Sequence, residues 1–279
     1  MQPRAGSIIA NAMTDHRTTR PRWEYHPGDG PVMATAVHAG HDVRDELLPR
    51  FNLSSEERLR EEDPMTDFFV GVGDTTFRGW TSRFEVDLNR PEDEAVYLEP
   101  SDAWGLEVWK ERPTDAMVAT SLAERARFYE IMGRRIEAMI AEHGRVLLLD
   151  IHSYNHRRDA PDVEADADGN PDIDLGLTTA DKGRFGDLVE AFQTELARHP
   201  MEAHGKQPRL PDVRENVRFV DGGHWPEWVF ATYGENVCTI TLEYKKIFMD
   251  EWTGMANLGS LEALRRGLFH AVAAAREAL

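Results

Sequence analysis

His38, His152 and Glu243 are the side chains of this sequence whose type and setting most invite chemistry. Each stands at or near the end of a short apolar run, in "VMATAVHAG", "RVLLLDIH" and "NVCTITLEY". With 11 histidines in the chain, a single one carries little information, and the ordinary fate of a histidine is a surface or hydrogen-bonded structural position. The combination is more telling. A zinc site that performs chemistry takes three N or O ligands and leaves one position for water. Two histidines and a carboxylate meet that need, and "REEDPMTD" supplies Glu61, Glu62 and Asp63 soon after His38. The same acidic run is also what a solvated helix face looks like. Glu243 shares one face of its strand with Thr239 and Thr241, opposite Cys238, Ile240 and Leu242. A carboxylate at the end of so apolar a strand is costly without a task or an ion-pair partner. "SRFEVDLNR" (82–90) adds Arg83 and Arg90, whose planar forks suit a carboxylate or a developing oxyanion, or simply close a salt-bridged strand end.

The elements that would position these groups follow from periodicity. Residues 32–40 read as a small-residue strand, and "SSEERLREEDPMTDFF" as a capped helix fading near Pro64. Alternation of Phe84, Val86 and Leu88 predicts a strand over 82–90. The clearest helix spans 116–143, where Ala126, Tyr129, Met132, Ile136, Met139 and Ile140 recur at helical spacing and Gly144 ends it. A continuous apolar strand through His152 follows at once. A second helix is marked by Phe185, Leu188, Val189, Phe192 and Leu196, and the last one by Leu261, Leu264, Leu268 and Val272, with Ser260 expected as its N-cap. Strands alternating with long helices predict a three-layer α/β/α fold around a mixed, largely parallel sheet. Sites in such sheets gather at the C-terminal strand ends, where His38 and His152 fall. Residues 1–30 read as an irregular lead-in and 31–279 as one α/β hydrolase domain. "DADGNPDID" (166–174) fails as a calcium loop, because Pro171 stands where a glycine is needed and Leu177 where a glutamate is.

Composition narrows the partners. A net charge of −18 argues against nucleic acid and anionic lipid, though not against a small anion met by local arginines. No run is long enough to cross a membrane, and Ile8–Met13 is too short and weak for a secretory signal, so a soluble cytoplasmic protein is expected. The single cysteine, Cys238, excludes an internal disulfide and a cysteine-rich zinc module.

"VHAG", "EEDPMTD", "SRFEVDLNR", "LLLDIHSY", "PDIDLG" and "LEYKKIFMDE" resemble, in that order, signature segments of the N-formylglutamate amidohydrolase family, related to zinc carboxypeptidases and aspartoacylases. Each block is short; six in the right order over about residues 32–255 are specific. The resemblance implies a zinc-carboxypeptidase-like fold and a single Zn2+ held by three protein ligands plus water. His38 and His152 match the metal histidines and Glu62 the acidic ligand, with Glu61 or Asp63 as the alternatives in the same run. It further implies Glu243 as general base and proton shuttle, Arg83 as oxyanion stabiliser, and Asn89 and Arg90 as the pair that holds the substrate's carboxylate. The implied substrate is a small anionic N-acyl amino acid, N-formyl-L-glutamate first. A carboxypeptidase-like metallopeptidase and a non-catalytic binding protein on the same scaffold are the competing readings. Two departures bear on the pocket. The family's Asn-Arg after the glutamate is replaced here by Tyr244, Lys245 and Lys246, and its "GGY" by "DGGHWPEW". Lys246 and His224 are therefore expected to shape substrate binding.

Overall fold

The computed structural model describes residues 21–201, 207–219 and 222–279. Seven strands form one mixed sheet: β1 (Trp23–His26), β2 (Val32–Ala36), β3 (Thr75–Gly79), β4 (Val146–Tyr154), β5 (Ile173–Gly176), β6 (Val213–Glu215) and β7 (Val237–Lys245). Their spatial order is β1-β3-β2-β4-β7-β5-β6. The β3–β2–β4–β7 centre is parallel throughout, whereas β1 runs antiparallel to β3 and β5 antiparallel to β7. β4 is buried along its whole length and β7 along all but its last residue, as continuous apolar runs require.

Helices cover both faces, giving the three layers expected. On one face α3 (Lys182–Leu196) and α5 (Leu258–Glu277) pack over Leu147, Leu149, Ile151, Cys238, Ile240 and Leu242. On the other, α2 (Asp115–His143) and α4 (His224–Tyr233) pack over Val146, Leu148 and Val237. α2 starts at the Thr114 cap, buries Phe128, Met132, Ile136 and Met139, and stops where Gly144 takes a φ of 76°. α1 (Ser55–Glu61) is a short helix closed by a Ser54–Glu57 capping box. Among the described residues, no helix is long and apolar enough to cross a membrane.

Three expectations need correction. Residues 82–90 are a chain of turns, not a strand; the strand lies upstream, at β3. Their alternating burial has another cause, because Phe84 enters a small cluster with Leu47 and Tyr97 while Val86 and Leu88 join the α2 side. The N-cap of α5 is Asn257, whose side chain accepts from Ser260 N, so Ser260 lies one turn inside. Residues 1–20 lie outside the described residues, but the rest of the expected lead-in holds β1, paired with β3.

Cys238 is fully buried, and burial pushes its thiol up to about 12. The folded chain thus keeps a proton that the unfolded chain releases near pH 9, and stability falls as pH rises from there towards 12. Iodoacetamide at pH 8.5 is expected to leave the native protein unmodified and to label it once after denaturation; mass spectrometry reads the difference.

Candidate active site

The parallel pairing of β4 with β7 sets His152 opposite Glu243 at the C-terminal end of the sheet. By strand alternation both point to the α2–α4 side, away from Cys238. Next to β4, β2 ends two residues before His38, which places the His38 ring 4.9 Å from that of His152. The chain leaving α1 supplies the third group. Glu62 caps α1 in an extended conformation, so Glu62 and Asp63 point in opposite directions. Asp63 Oδ2 lies 3.0 Å from His152 Nδ1 and 3.4 Å from His38 Nδ1. The backbone of Asp63 is fixed in turn, its N–H donating to His38 O and its carbonyl accepting from Thr66 Oγ1.

Each histidine is held from behind by a second buried carboxylate. His38 Nε2 lies 2.6 Å from Asp87 Oδ1, and His152 Nε2 lies 2.8 Å from Asp150 Oδ2. Those contacts put the Nε2 protons on the outer side and turn both Nδ1 atoms towards Asp63. Asp150 is itself held by Thr35 Oγ1, which accepts from Trp225 Nε1. Asp87 also accepts from Arg83 Nη2, Tyr97 Oη and the backbone N–H of Asn89. Carboxylates behind histidine ligands are the usual means of fixing tautomer and ring angle. His38, Asp63 and His152 form a buried group whose ligand atoms all lie within 4.8 Å of one another.

The electrostatics follow from this crowding. Burial works to raise Asp63, but the neighbouring His152 and His38 outweigh it and hold the carboxyl far below its ordinary range. Burial likewise opposes the charge on His152, yet Asp150 and Asp63 raise it well above the usual histidine value. The Glu243 carboxylate accepts no hydrogen bond from the described residues and faces a cavity of about 720 Å³. Burial pushes it up to about 8, with Asp63 and Asp150 adding to the rise and His152 and Arg83 opposing it. A carboxyl that exchanges its proton near neutrality is suited to general acid–base work.

His38, Asp63, His152 and Glu243 line this cavity, and Arg83, Arg90, Arg158 and Arg218 bring cationic groups to its wall. Arg83 is anchored through Asp87 and Tyr97 and lies 4.9 Å from the Trp104 ring centre. Arg218 stacks over Tyr154.

A sequence model described as N-formylglutamate amidohydrolase matches residues 30–248, most of the chain. The chain belongs to the N-formylglutamate amidohydrolase family. No curated protein sequence matches it. Its fold is shared with the crystal structure of N-formylglutamate amidohydrolase from Ralstonia eutropha JMP134. That protein is 18% identical with a TM-score of 0.69, over 92% of this chain and 98% of the other. A gene product of Agrobacterium tumefaciens is 15% identical with a TM-score of 0.65, over 91% of this chain and 94% of that one.

Within the N-formylglutamate amidohydrolase frame, the structure brings together His38, His152, Glu243, Arg83, Asn89, Arg90, His224 and Lys246 around one cavity. Glu62 is not among them. Its carboxylate turns the other way, 2.5 Å from His41 Nδ1 and bonded to Ser82 Oγ, and Asp63 occupies the place beside the histidines. Asn89 spends its side chain on the chain itself, donating to Gly222 O and accepting from Trp225 N. A Cβ at Gly223, where φ is +91°, would lie 2.4 Å from Asn89 Nδ2, so this close approach requires glycine. Arg90 lies at the rim with Nη1 3.2 Å from Glu94, and His224 opens α4, its pKa lowered by burial and then by Arg125.

Lys246 is buried, and its ammonium donates to Arg60 O, Glu62 O and Asn155 Oδ1, all at 2.7–2.9 Å. Those three bonds use its three protons, so it fixes the segment that carries Asp63 instead of reaching a substrate. Lys246→Met is expected to loosen this segment and lower stability by about 1–3 kcal/mol or more for the buried acceptors left unmatched, with thermal unfolding as the measurement. Sequence reasoning missed Asp87, Asp150 and Arg218. Asp150 carried a signal, since it sits two residues before His152 on the same strand face.

Proposed function

We propose that this family member is a zinc-dependent amidohydrolase that cleaves the amide of a small anionic N-acyl amino acid, N-formyl-L-glutamate foremost. The observation that carries the reading is the convergence of both Nδ1 atoms on Asp63 beneath an arginine-lined cavity that also holds Glu243. The donor set fits the ion. His38 Nδ1 is buried without a hydrogen-bond partner, facing Asp63, and two imidazoles with one carboxylate are an ordinary hydrolytic zinc set. His38, Asp63 and His152 would hold it. When bound, zinc supplies an acidified water and a Lewis acid for the amide carbonyl.

The rest is the work of this chain's own side chains. Glu243 Oε takes the proton of the attacking water and returns it to the departing amide nitrogen. Arg83, braced by Asp87 and Tyr97, donates to the carbonyl oxygen as negative charge grows there. Arg90, with Arg158 and Arg218 on the surrounding wall, binds the carboxylates and fixes the amide in register. Asn89 keeps the Gly222–Trp225 turn in place and so shapes the floor.

The test is zinc analysis of the purified protein combined with a panel of N-formyl, N-acetyl and longer N-acyl amino acids. Release of glutamate and formate from N-formyl-L-glutamate is the expected outcome. Release of a C-terminal residue from long peptides in its place would make the protein a peptidase. Failure of the zinc-loaded protein to hydrolyse any member of either panel would overturn the reading.

A further inference from the structure

A different group of metal-ligating side chains lies in the α3–α5 layer. That layer packs on the sheet face opposite the one to which His152 and Glu243 point. Glu195 is in the last turn of α3, His199 lies just past its end, and His270 is on the outer surface of α5. Their ligand atoms all fall within 4.8 Å of one another. His199 Nε2 is 2.9 Å from Glu195 Oε1, and the His199 and His270 rings stack at 4.2 Å with planes only 10° apart. Gly267, one turn before His270, permits this meeting, because a Cβ there would lie 3.3 Å from His199 Cβ. Arg198 approaches the other carboxylate oxygen of Glu195 at 3.5 Å, which leaves Oε1 to the histidines.

We propose that Glu195, His199 and His270 form a further metal site, for a divalent transition ion of the Zn2+, Cu2+ or Ni2+ kind, that clamps α5 to the end of α3. Two imidazoles and a carboxylate select such ions over Mg2+ and Ca2+, which want oxygen ligands. A metal lies in the plane of each imidazole it binds, so two parallel stacked rings cannot share one as they stand. His270 is exposed and turns at little cost, whereas His199 is fixed by Glu195 and the α5 surface. The strongly acidic chain, with its net charge of −18, favours cation binding at such a surface. The proposal is independent of the active-site assignment, since no residue is shared.

The experiment uses the untagged full-length chain and Zn2+ alone, with binding stoichiometry by calorimetry and Tm with and without the ion. His270→Ala is expected to bind one equivalent less than the unaltered protein, with hydrolytic rate unchanged. His199→Gln, at the more enclosed ligand, is expected to lose the same equivalent. In an Asp63→Ala background, Zn2+ still raises Tm, and adding His270→Ala removes that rise; Mg2+ gives no rise in either. Equal stoichiometry and an equal zinc-dependent Tm shift in the unaltered protein and His270→Ala would sink the proposal, whatever happens at the active site.

Discussion

Asp63→Ala is expected to lose the one zinc equivalent held beside His38 and His152 and, with it, hydrolysis, whereas Glu62→Gln keeps that equivalent. The two residues are neighbours, both are buried, and both are acidic, so only geometry separates them. Asp63 faces His38 and His152, while Glu62 faces His41 and Ser82. In the proposed zinc set, Asp63→Ala leaves two histidines and two orienting carboxylates without the group that completes it. Glu62→Gln instead exchanges a carboxylate for an amide that still accepts from Ser82, and its cost is one of stability, about 1–3 kcal/mol for the disturbed buried contact. Metal content by mass spectrometry after dialysis reads the first effect and thermal unfolding the second. A loss of one zinc equivalent in Glu62→Gln and of none in Asp63→Ala would reverse the assignment.

The second large effect is expected at Glu243. Glu243→Gln preserves shape and leaves the three metal-facing groups untouched, so zinc stoichiometry stays at the unaltered value. Turnover falls by about 10²–10⁴-fold, the usual worth of a positioned general acid–base group. The loss appears in kcat, with KM little changed, because the amide side chain cannot relay a proton in the transition state yet fills the same space. An active Glu243→Gln protein would place the proton shuttle elsewhere in the cavity.

Much of this centre was legible in the sequence, for identifiable reasons. His152 and Glu243 close apolar strands whose patterns leave no doubt about burial, and a polar group there must have partners. His38 follows the same logic on β2. The ambiguity within Glu61, Glu62 and Asp63 was not resolvable, because it turns on how the chain leaves α1 at one capping residue. Lys246 and Asn89 showed their polarity but not their partners, which are chiefly backbone groups far away in sequence. The stretch 82–90 misled for a related reason: alternating burial against two separate clusters imitates the period of a strand. Arg218 gave no local sign at all, since its place in the cavity wall is set by Asp174, whose carboxylate accepts from the backbone N–H groups of Val217, Arg218 and Phe219.

The pairing of β4 with β7 also has a kinetic meaning. Their partnership joins His152 to Glu243 across a long stretch of chain, and β2 must lie on the other side of β4 before His38 can approach. Long-range strand pairings form late because loop closure opposes them until many contacts reward it. No fragment that omits any part of residues 38–243 can assemble the whole centre. The His38–Asp63–His152 group needs only β2 and β4 side by side, whereas bringing Glu243 to it also requires β7 to dock. The complete centre therefore exists only once the central strands have found their places.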